Sequence, residues 1–275
     1  MPVTQAEKAA RFQALHGRPG AFVIPNPWDA GTARILERLG FEALTTTSAG
    51  LAFTLGRRDG QVTRDEALAN ARAIVEAVDL PVAADLENGY GHAPEAAAGT
   101  IRLAGEAGLV GGSIEDASGD PQRPIYDLQH AVERMAAAVE AARAFPFPFV
   151  LVGRAENYLH GRPDLDDTIR RLRAFEAAGA DALFAPGITS PEDIRTVCAS
   201  VGKPVNVIMG LKGSALTVDE LAALGVKRIS VGSALSRAAL GAFVRAAEEI
   251  RDHGTFRFAD DALPFAEANK LVSAD

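Results

Sequence analysis

Short apolar runs alternate with longer segments of mixed polarity along almost the whole chain. We interpret the apolar runs as strands and the mixed segments as helices, following a first helical segment over Gln5–His16. Strands that are apolar at nearly every position and are separated by helices indicate parallel pairing, with both faces of the sheet buried. The eight strand candidates span residues 21–24, 43–48, 81–85, 110–115, 149–156, 182–186, 204–209 and 228–232.

The predicted helices have recognisable start and stop signals. Thr63 with Glu66, and Thr217 with Glu220, have the spacing of a capping box, and Ser190 precedes a proline at a first helical position. A weak internal repeat places a glycine, suited to the left-handed position that ends a helix, between helix and strand at Gly40, Gly108, Gly179 and Gly225.

Eight strand–helix units predict an α/β fold, a (β/α)8 barrel that forms a single domain over residues 1–275. An open doubly wound sheet is the alternative, but the GxGxxG fingerprint is missing after the first strand. The tail is longer than a barrel requires. We expect Ser233–His253 to be the last barrel helix and Asp260–Leu271 to be an extra helix, and we interpret residues 255–275 as an oligomerisation extension.

Composition narrows the class of protein. The chain has 275 residues, a net charge of −8 and no basic cluster, so we expect neither nucleic acid nor an anionic membrane as a partner. It also lacks the uninterrupted apolar stretch of about 18 residues that spans a bilayer. The single cysteine, Cys198, excludes an intramolecular disulfide and fits a reducing compartment, so we expect a cytoplasmic protein.

Polar residues at the ends of the predicted strands are candidates for chemistry, because active sites of such barrels lie at that face. Asp85 and Glu87 end the third strand two positions apart, so both carboxylates face the same way, and glycines follow them. Carboxylates without a histidine or cysteine partner suit Mg²⁺ better than Zn²⁺. The simpler alternative is a helix cap or a solvated loop charge. The other polar strand ends are Asn26, Asp29, 45–48, Glu115, Asp116, Arg154, Glu156 and Asn206.

Two of these positions suggest a binding role. Arg154 ends an otherwise apolar strand, and its planar guanidinium suits a substrate carboxylate, although it can instead be the counter-ion of Glu156 or Glu115. The Thr47-Ser48-Ala49-Gly50 turn offers hydroxyls and backbone N–H groups to an anionic head group, or is an ordinary turn with a serine cap. Among the histidines, His92 and His160 fall in loops of the catalytic face, whereas His16, His130 and His253 are expected to be solvated on helices.

The chain resembles the isocitrate lyase/phosphoenolpyruvate mutase superfamily, including 2-methylisocitrate lyase, oxaloacetate decarboxylase and phosphonomutase-like members. The Asp85–Gly91 segment, with its Gly-Tyr-Gly end, is the most specific part of the likeness. The remaining matching segments are 26–30, the 47–50 turn, 55–59, 114–116 and Arg154.

The resemblance implies a Mg²⁺ site, for which Mn²⁺ is an alternative, with Asp85, Glu87 and Glu115 acting directly or through water. It also implies that residues 47–49 hold a carboxylate or phosphonate and that Arg154 faces the substrate. Gly50, Trp28 and Asn206 are further candidates for substrate binding. Related enzymes are homo-oligomers, dimers or tetramers, that exchange a C-terminal helix.

The sequence also departs from the family pattern. The loop over residues 116–127 lacks the Lys-Lys-Cys-Gly-His motif of the lyase branch and the loop lysine of the mutase branch. Asp59 matches the phosphoryl acceptor of the mutases, and Glu87 stands where aspartate is usual. Tyr126 and Tyr90 are candidate proton donors in place of the loop cysteine.

The leading hypothesis is a Mg²⁺-dependent carbon–carbon lyase or decarboxylase that acts on small 2-oxo or 2-hydroxy di- or tricarboxylates through an enolate. One alternative is cleavage of a P–C bond in a phosphonopyruvate-like substrate with Asp59 as acceptor. Another is a catalytically weak protein that binds 2-oxo acids. Aldol chemistry like that of ketopantoate hydroxymethyltransferase also uses a metal to stabilise an enolate and is a further alternative.

Overall fold

The computed structural model describes residues 3–211 and 215–273, and within these ranges eight parallel strands alternate with helices. The strands are β1 Phe22–Val23, β2 Leu44–Thr45, β3 Val82–Asp85, β4 Gly111–Glu115, β5 Val150–Arg154, β6 Ala182–Phe184, β7 Val205–Ile208 and β8 Arg228–Ser230. The helices are α1 Gln5–Gly17, α2 Ala30–Arg38, α3 Ser48–Thr54, α4 Arg64–Ala77, α5 Pro94–Glu106, α6 Leu128–Arg143, α7 Leu165–Ala178, α8 Pro191–Ser200, α9 Val218–Ala223, α10 Ala234–His253 and α11 Phe265–Val272.

The strands form a closed barrel. Each strand pairs in parallel with its neighbours in the order β1-β8-β7-β6-β5-β4-β3-β2, and the Thr45 N–H donates to the Pro25 carbonyl at 3.1 Å, which joins β2 to β1. Asn26 links β1 to both of its neighbours: Nδ2 donates to the Thr46 carbonyl after β2, and Oδ1 accepts from the N–H groups of Val231 and Gly232 after β8, all at 2.9 Å. The predicted (β/α)8 fold is confirmed, although the regular strands are shorter than expected.

The signals at the helix ends are also confirmed. Both capping boxes form, with Thr63 and Thr217 accepting from the N–H groups of Glu66 and Glu220, and Ser190 caps α8 ahead of Pro191. All four predicted glycines have positive φ angles, between 87° and 107°: Gly40, Gly108, Gly179 and Gly225. Local sequence therefore determines where these helices begin and end.

Two predicted segments differ from the structure. The strand expected over residues 43–48 stops at Thr45, because the Thr47 hydroxyl accepts from the Gly50 N–H and starts helix α3. The extra C-terminal helix begins at Phe265 rather than at residue 260. Pro264 immediately precedes it, and a proline in the interior of a longer helix would remove a backbone donor and clash with the preceding turn.

Helix α1 covers the N-terminal end of the barrel. Phe12 and Leu15 pack with Phe22 and other buried apolar residues of the lower strands. His16 contacts the rings of Phe12 and Phe22 edge-on, at centroid distances of 4.8 and 5.0 Å. Burial and the charge of Arg228 lower the pKa of His16 to about 4. The expectation that His16 is solvated was therefore wrong, because its helix lies on the barrel and not in solvent.

The helices at the C-terminal end of the chain are more exposed than α1. In the 20-residue helix α10 only Ser236 is buried, and Phe243 is 70% exposed. Helix α11 returns to the barrel, where the Arg34 side chain donates to the Val272 carbonyl at 2.8 Å. Within the described residues, none of the helices combines the length and apolarity needed to cross a membrane.

Candidate active site

Three carboxylates surround one arginine at the C-terminal ends of β3, β4 and β5. The Arg154 Nη1 atom lies 3.3 Å from Asp85 Oδ1 and 3.2 Å from Glu115 Oε2. The Arg154 Nε–H donates to Glu156 Oε1. Register explains the convergence, since Glu115 and Arg154 are paired residues on neighbouring strands. The guanidinium also lies over the ring of Phe184, at 5.3 Å from its centroid.

The cluster carries more negative than positive charge. Burial raises the pKa of Glu115 well above its ordinary value, the charge of Arg154 opposes this, and the other acids add to it. Burial alone would lower the pKa of Arg154, but Glu115, Glu156 and Asp85 outweigh it and raise the pKa. Arg154 therefore stays charged, and one cation faces several acids whose repulsion favours a proton or a second cation.

The turn after β3 brings a fourth acid to the cluster. Glu87 and Tyr90 have positive φ angles of 47° and 59°, which are uncommon for residues other than glycine. The next glycine, Gly89, also has a positive φ of 80°, and a Cβ there would lie 2.9 Å from the Cα of Ala97. Side chains longer than hydrogen therefore do not fit, and the glycine-rich segment forms the tight turn that the sequence predicts.

This turn leaves polar atoms without partners. Glu87 Oε1 and the Tyr90 hydroxyl are buried, and neither has a hydrogen-bond partner among the described residues. Burial, followed by the charges of Asp85 and Asp59, raises the pKa of Glu87 to about 7. Burial likewise raises the pKa of Tyr90. Strained backbone and unpaired polar atoms in one turn are typical of a functional site.

The first turn of α3 contacts the acid cluster at Asp85. The backbone N–H and the hydroxyl of Ser48 donate to Asp85 Oδ2 at 3.3 and 2.9 Å. Asp59, in the loop after α3, lies beside Ser48. Partial desolvation and the charge of Asp85 raise the pKa of Asp59, although a hydrogen bond with Ser48 and the charge of Arg154 oppose this shift.

Most predicted substrate-binding residues meet in one cavity of about 200 Å³ at the mouth and interior of the barrel. The predicted residues that line it are Thr47, Ser48, Ala49, Asp59, Asp85, Arg154 and Asn206. Glu87 and Glu115 adjoin it through the Glu87 N–H, which donates to Asp85 at 3.2 Å, and through the Glu115–Arg154 pair. Gly50 and Trp28 instead lie behind the α3 turn, where a Cβ on Gly50 would be 3.1 Å from that of Trp28.

Two of the acids that the sequence analysis placed at strand ends have structural roles. Asp116 accepts from the Glu156 N–H at 2.8 Å and pairs with Arg171 at 3.0 Å, which fixes the end of β5. Asp29 caps helix α2 by accepting from the Thr32 N–H. Neither side chain lines the cavity.

Tyr126 lies in a neighbouring cavity of about 530 Å³, outside the barrel. Its hydroxyl is 2.7 Å from His92 Nδ1, and its ring has edge contacts with His92 and His130. The loop that ends at Tyr126 folds back on itself, since Ala117 and Ile125 form an antiparallel bridge. The structure therefore separates Tyr126 from Arg154, whereas the sequence analysis grouped them.

The acids do not form a ready metal cage. Within residues 3–211 and 215–273, no three His, Cys, Asp or Glu side chains are arranged as metal ligands. The physical reason is that Arg154 lies between Asp85 and Glu115 and bonds to both. The donor set nevertheless fits a hard cation, because it consists of carboxylate oxygens and one of them, Glu87 Oε1, is buried and unpaired.

The sequence analysis missed a second group of polar residues inside the barrel. Ser113, Arg228 and Ser230 line the lower part of the cavity together with Asn206. The available signal was the alternation of faces along a strand, because Arg228 and Ser230 are two apart on β8 and therefore point to the same side.

Comparison with known proteins agrees with the family resemblance that the sequence motifs indicated. The profile of the phosphoenolpyruvate phosphomutase family matches residues 12–251. A crystal structure of a candidate lyase/mutase from Burkholderia cenocepacia J2315 is similar at 62% identity and a TM-score of 0.96, covering 98% of this chain and 97% of that one. The probable 2-methylisocitrate lyase 1 of Corynebacterium glutamicum is 30% identical, over 89% of this chain and 82% of its own length. A phosphonopyruvate hydrolase solved with oxalate and Mg²⁺ has 25% identity and a TM-score of 0.85, covering 96% and 94% of the two chains.

Proposed function

Because the chain belongs to the phosphoenolpyruvate phosphomutase family, we propose that it is a Mg²⁺-dependent carbon–carbon lyase or decarboxylase. Its substrates in this proposal are small 2-oxo or 2-hydroxy di- or tricarboxylates. The observation that carries the proposal is the group of acids around Arg154 at the barrel mouth. A similar chain named as a probable 2-methylisocitrate lyase supports carbon–carbon cleavage.

The acids are proposed as the metal site. Asp85, Glu87 and Glu115 would hold the cation, directly or through water. Mn²⁺ suits the same oxygen ligands. When bound, the cation supplies a Lewis acid that stabilises the negative charge of an enolate.

The residues of the chain bind and orient the substrate. Arg154 is held by three carboxylates and lies over the Phe184 ring, and in this proposal its guanidinium exchanges the contacts with Asp85 and Glu115 for a substrate carboxylate when the cation binds those acids. Ser48 donates from both its backbone and its hydroxyl and, with Thr47 and Ala49, borders the same cavity. These groups would hold the substrate so that the electron pair of the broken C–C bond is delocalised into the 2-oxo group.

The proton that completes the reaction must come from the loop or from solvent. Burial raises the pKa of Tyr126 while the charge of Arg134 opposes the shift, so its phenol remains protonated and can act as a donor. His92, at 2.7 Å from that hydroxyl, can restore the proton. We propose Tyr126 as the donor when the loop over residues 116–127 approaches the bound substrate.

The second candidate function is P–C bond chemistry. Asp59 borders the cavity beside Ser48, where a phosphoryl group leaving the substrate could be accepted by its carboxylate. The similarity to a phosphonopyruvate hydrolase favours this alternative. A protein that binds 2-oxo acids with little turnover is the third.

A substrate panel in saturating Mg²⁺ distinguishes the three functions. We expect turnover of oxaloacetate or of a 2-methylisocitrate-like acid, a loss of about 100-fold or more in kcat/KM for Asp85→Asn, and unchanged turnover for Cys198→Ser, a residue outside the cavity. Phosphate release from phosphonopyruvate that is lost in Asp59→Ala would favour P–C chemistry. Tight binding of every acid without turnover would refute the enzyme proposal.

The exposed α10 helix supports a proposal about assembly. Its apolar residues Leu240, Phe243 and Val244 are 42%, 70% and 48% exposed, an unusual density of solvent-facing apolar surface. We propose that a second copy of the chain covers them in a dimer or tetramer. We also propose a cytoplasmic location, in keeping with one cysteine and no disulfide.

A further inference from the structure

The lower half of the barrel cavity is polar on one side. Arg228 and Ser230 of β8 and Asn206 of β7 point inward and are only 5%, 5% and 3% exposed. The adjoining part of the wall, on β5 to β7, has the expected apolar packing, formed by Val152, Ala182, Phe184 and Ile208. Barrel interiors are normally filled by branched apolar side chains, so an arginine in this position requires an explanation.

Arg228 lacks the partners that a buried guanidinium needs. Its Nε and Nη1 atoms are buried and have no hydrogen-bond partner among the described residues. Its side chain lies over the ring of Phe12, at 5.6 Å from the centroid, and so forms the floor of the cavity. In residues 3–211 and 215–273 no carboxylate lies within ion-pair distance of Arg228, because the nearby acids of the cavity pair with Arg154.

The surroundings do not neutralise this charge. Burial lowers the pKa of Arg228 to about 10, so the guanidinium remains charged at neutral pH. His16 contributes no negative charge, and its own pKa is lowered by burial and by Arg228. A buried charge without a partner is strongly destabilising, so Arg228 requires a countercharge that the described residues do not supply.

The neighbouring side chains can complete a binding site. Asn206 Nδ2 donates to Ser230 Oγ at 3.0 Å, while Asn206 Oδ1 is buried and unpaired. A rotation of the Asn206 amide by about 180° would let Oδ1 accept from the Ser230 hydroxyl and place the N–H groups where the unpaired Oδ1 now lies, in the cavity that Arg228 also lines. The chamber would then present donors from both the arginine and the amide.

We propose that Arg228 and Asn206, with Ser230 supporting the amide, form a subsite for a compact monovalent anion at the floor of the barrel cavity. A single guanidinium balances a single negative charge, and the acids around Arg154 disfavour a more highly charged anion. Chloride and a carboxylate group share this chemistry. The anion arrives either as a free ion or as the remote carboxylate of a diacid bound above, because one cavity of about 200 Å³ contains both sites.

Binding of a free anion at the subsite is tested by thermal stability, without an activity measurement. Melting temperatures of the full chain are measured with and without sodium chloride, and general salt effects are removed by comparing this difference between the wild type and two variants. We expect chloride to raise the melting temperature of the wild type saturably by about 2–4 °C, Arg228→Met to abolish the difference, and Lys227→Met to retain it. Lys227 is the matched control because it is the adjacent cation and its ammonium bonds outside the chamber, to the Gly20 carbonyl at 2.8 Å.

The second source is tested by ligand binding and rests on the proposed function. If a substrate carboxylate occupies the subsite, Arg228→Met weakens binding of a four-carbon 2-oxo diacid at least 10-fold, leaves the shorter oxalate unaffected, and chloride competes with the diacid alone. Bromide-soaked crystals of the wild type give a readout that does not depend on the folding of a variant. An anomalous peak beside Arg228 supports the subsite. Absence of that peak, together with identical chloride and diacid responses in wild type and Arg228→Met, would overturn it.

Discussion

The environment of His16 predicts a specific loss of stability in mild acid. Its pKa falls from 6.5 to about 4 in the folded chain, so between these values the unfolded chain binds a proton that the folded chain does not. Stability must therefore decrease as the pH falls below 6.5. For one such group the difference between pH 7 and pH 5 is about 2 kcal/mol.

The substitution His16→Phe isolates this effect. Phenylalanine keeps the edge contacts with Phe12 and Phe22. It removes Nε2, which has no partner among the described residues, and Nδ1, which lies 2.8 Å from the Phe12 carbonyl, and the loss of that contact is common to every pH. Free energies of unfolding from urea denaturation are compared at pH 5, 6 and 7. We expect the wild type to lose about 2 kcal/mol more than His16→Phe over this range, since acids that titrate in both proteins cancel in the comparison.

The variant His253→Gln provides the control, because it removes a histidine whose side chain is exposed at the end of α10. Parallel pH profiles for the wild type and His16→Phe would refute the reasoning. They would mean that the α1 end of the barrel opens to water enough for the imidazole to be protonated in the folded chain.

Two further predictions concern barrel closure and assembly. Asn26→Ala removes one hydrogen bond to the end of β2 and two to the end of β8 and should lower the free energy of unfolding in urea by about 2–3 kcal/mol; an unchanged midpoint would contradict that role. Phe243→Glu should shift the mass measured by light scattering toward the monomer with an unchanged circular dichroism spectrum, whereas Leu39→Glu, at a similarly exposed position just after α2, should not. Equal masses for the two variants would refute α10 as the interface.

The architecture was predictable because it depends on patterns that the chain carries locally. Parallel strands buried on both faces need apolar residues at nearly every position, and helix ends need caps and glycines. These requirements are visible in Thr63, Ser190 and Gly179 without any knowledge of tertiary contacts. The exact extent of β2 was not predictable, because the Thr47 cap and an extended strand compete for the same residues.

The candidate site was predictable as a set of residues but not as a set of contacts. Sequence order places Asp85, Glu115 and Arg154 at strand ends, and the shared barrel mouth then brings them together. It does not show that Arg154 lies between the two acids, nor that Asn26 links β1 to both of its neighbours. Arg228 was overlooked because the start of a strand suggests an exposed boundary, whereas only the register shows that its side chain points into the barrel.

The most direct test of the proposed metal-dependent site is calorimetric titration of oxalate, a small mimic of a 2-oxo acid enolate, with and without Mg²⁺. Wild type should bind oxalate with Mg²⁺ and lose at least 10-fold in affinity in excess EDTA. Asp85→Asn should show the weak binding in both conditions, and Asp65→Asn, an exposed aspartate at the start of α4, should behave as wild type. Equal oxalate affinity with Mg²⁺ and with EDTA, or an Asp85→Asn variant that retains the Mg²⁺ effect, would contradict the account.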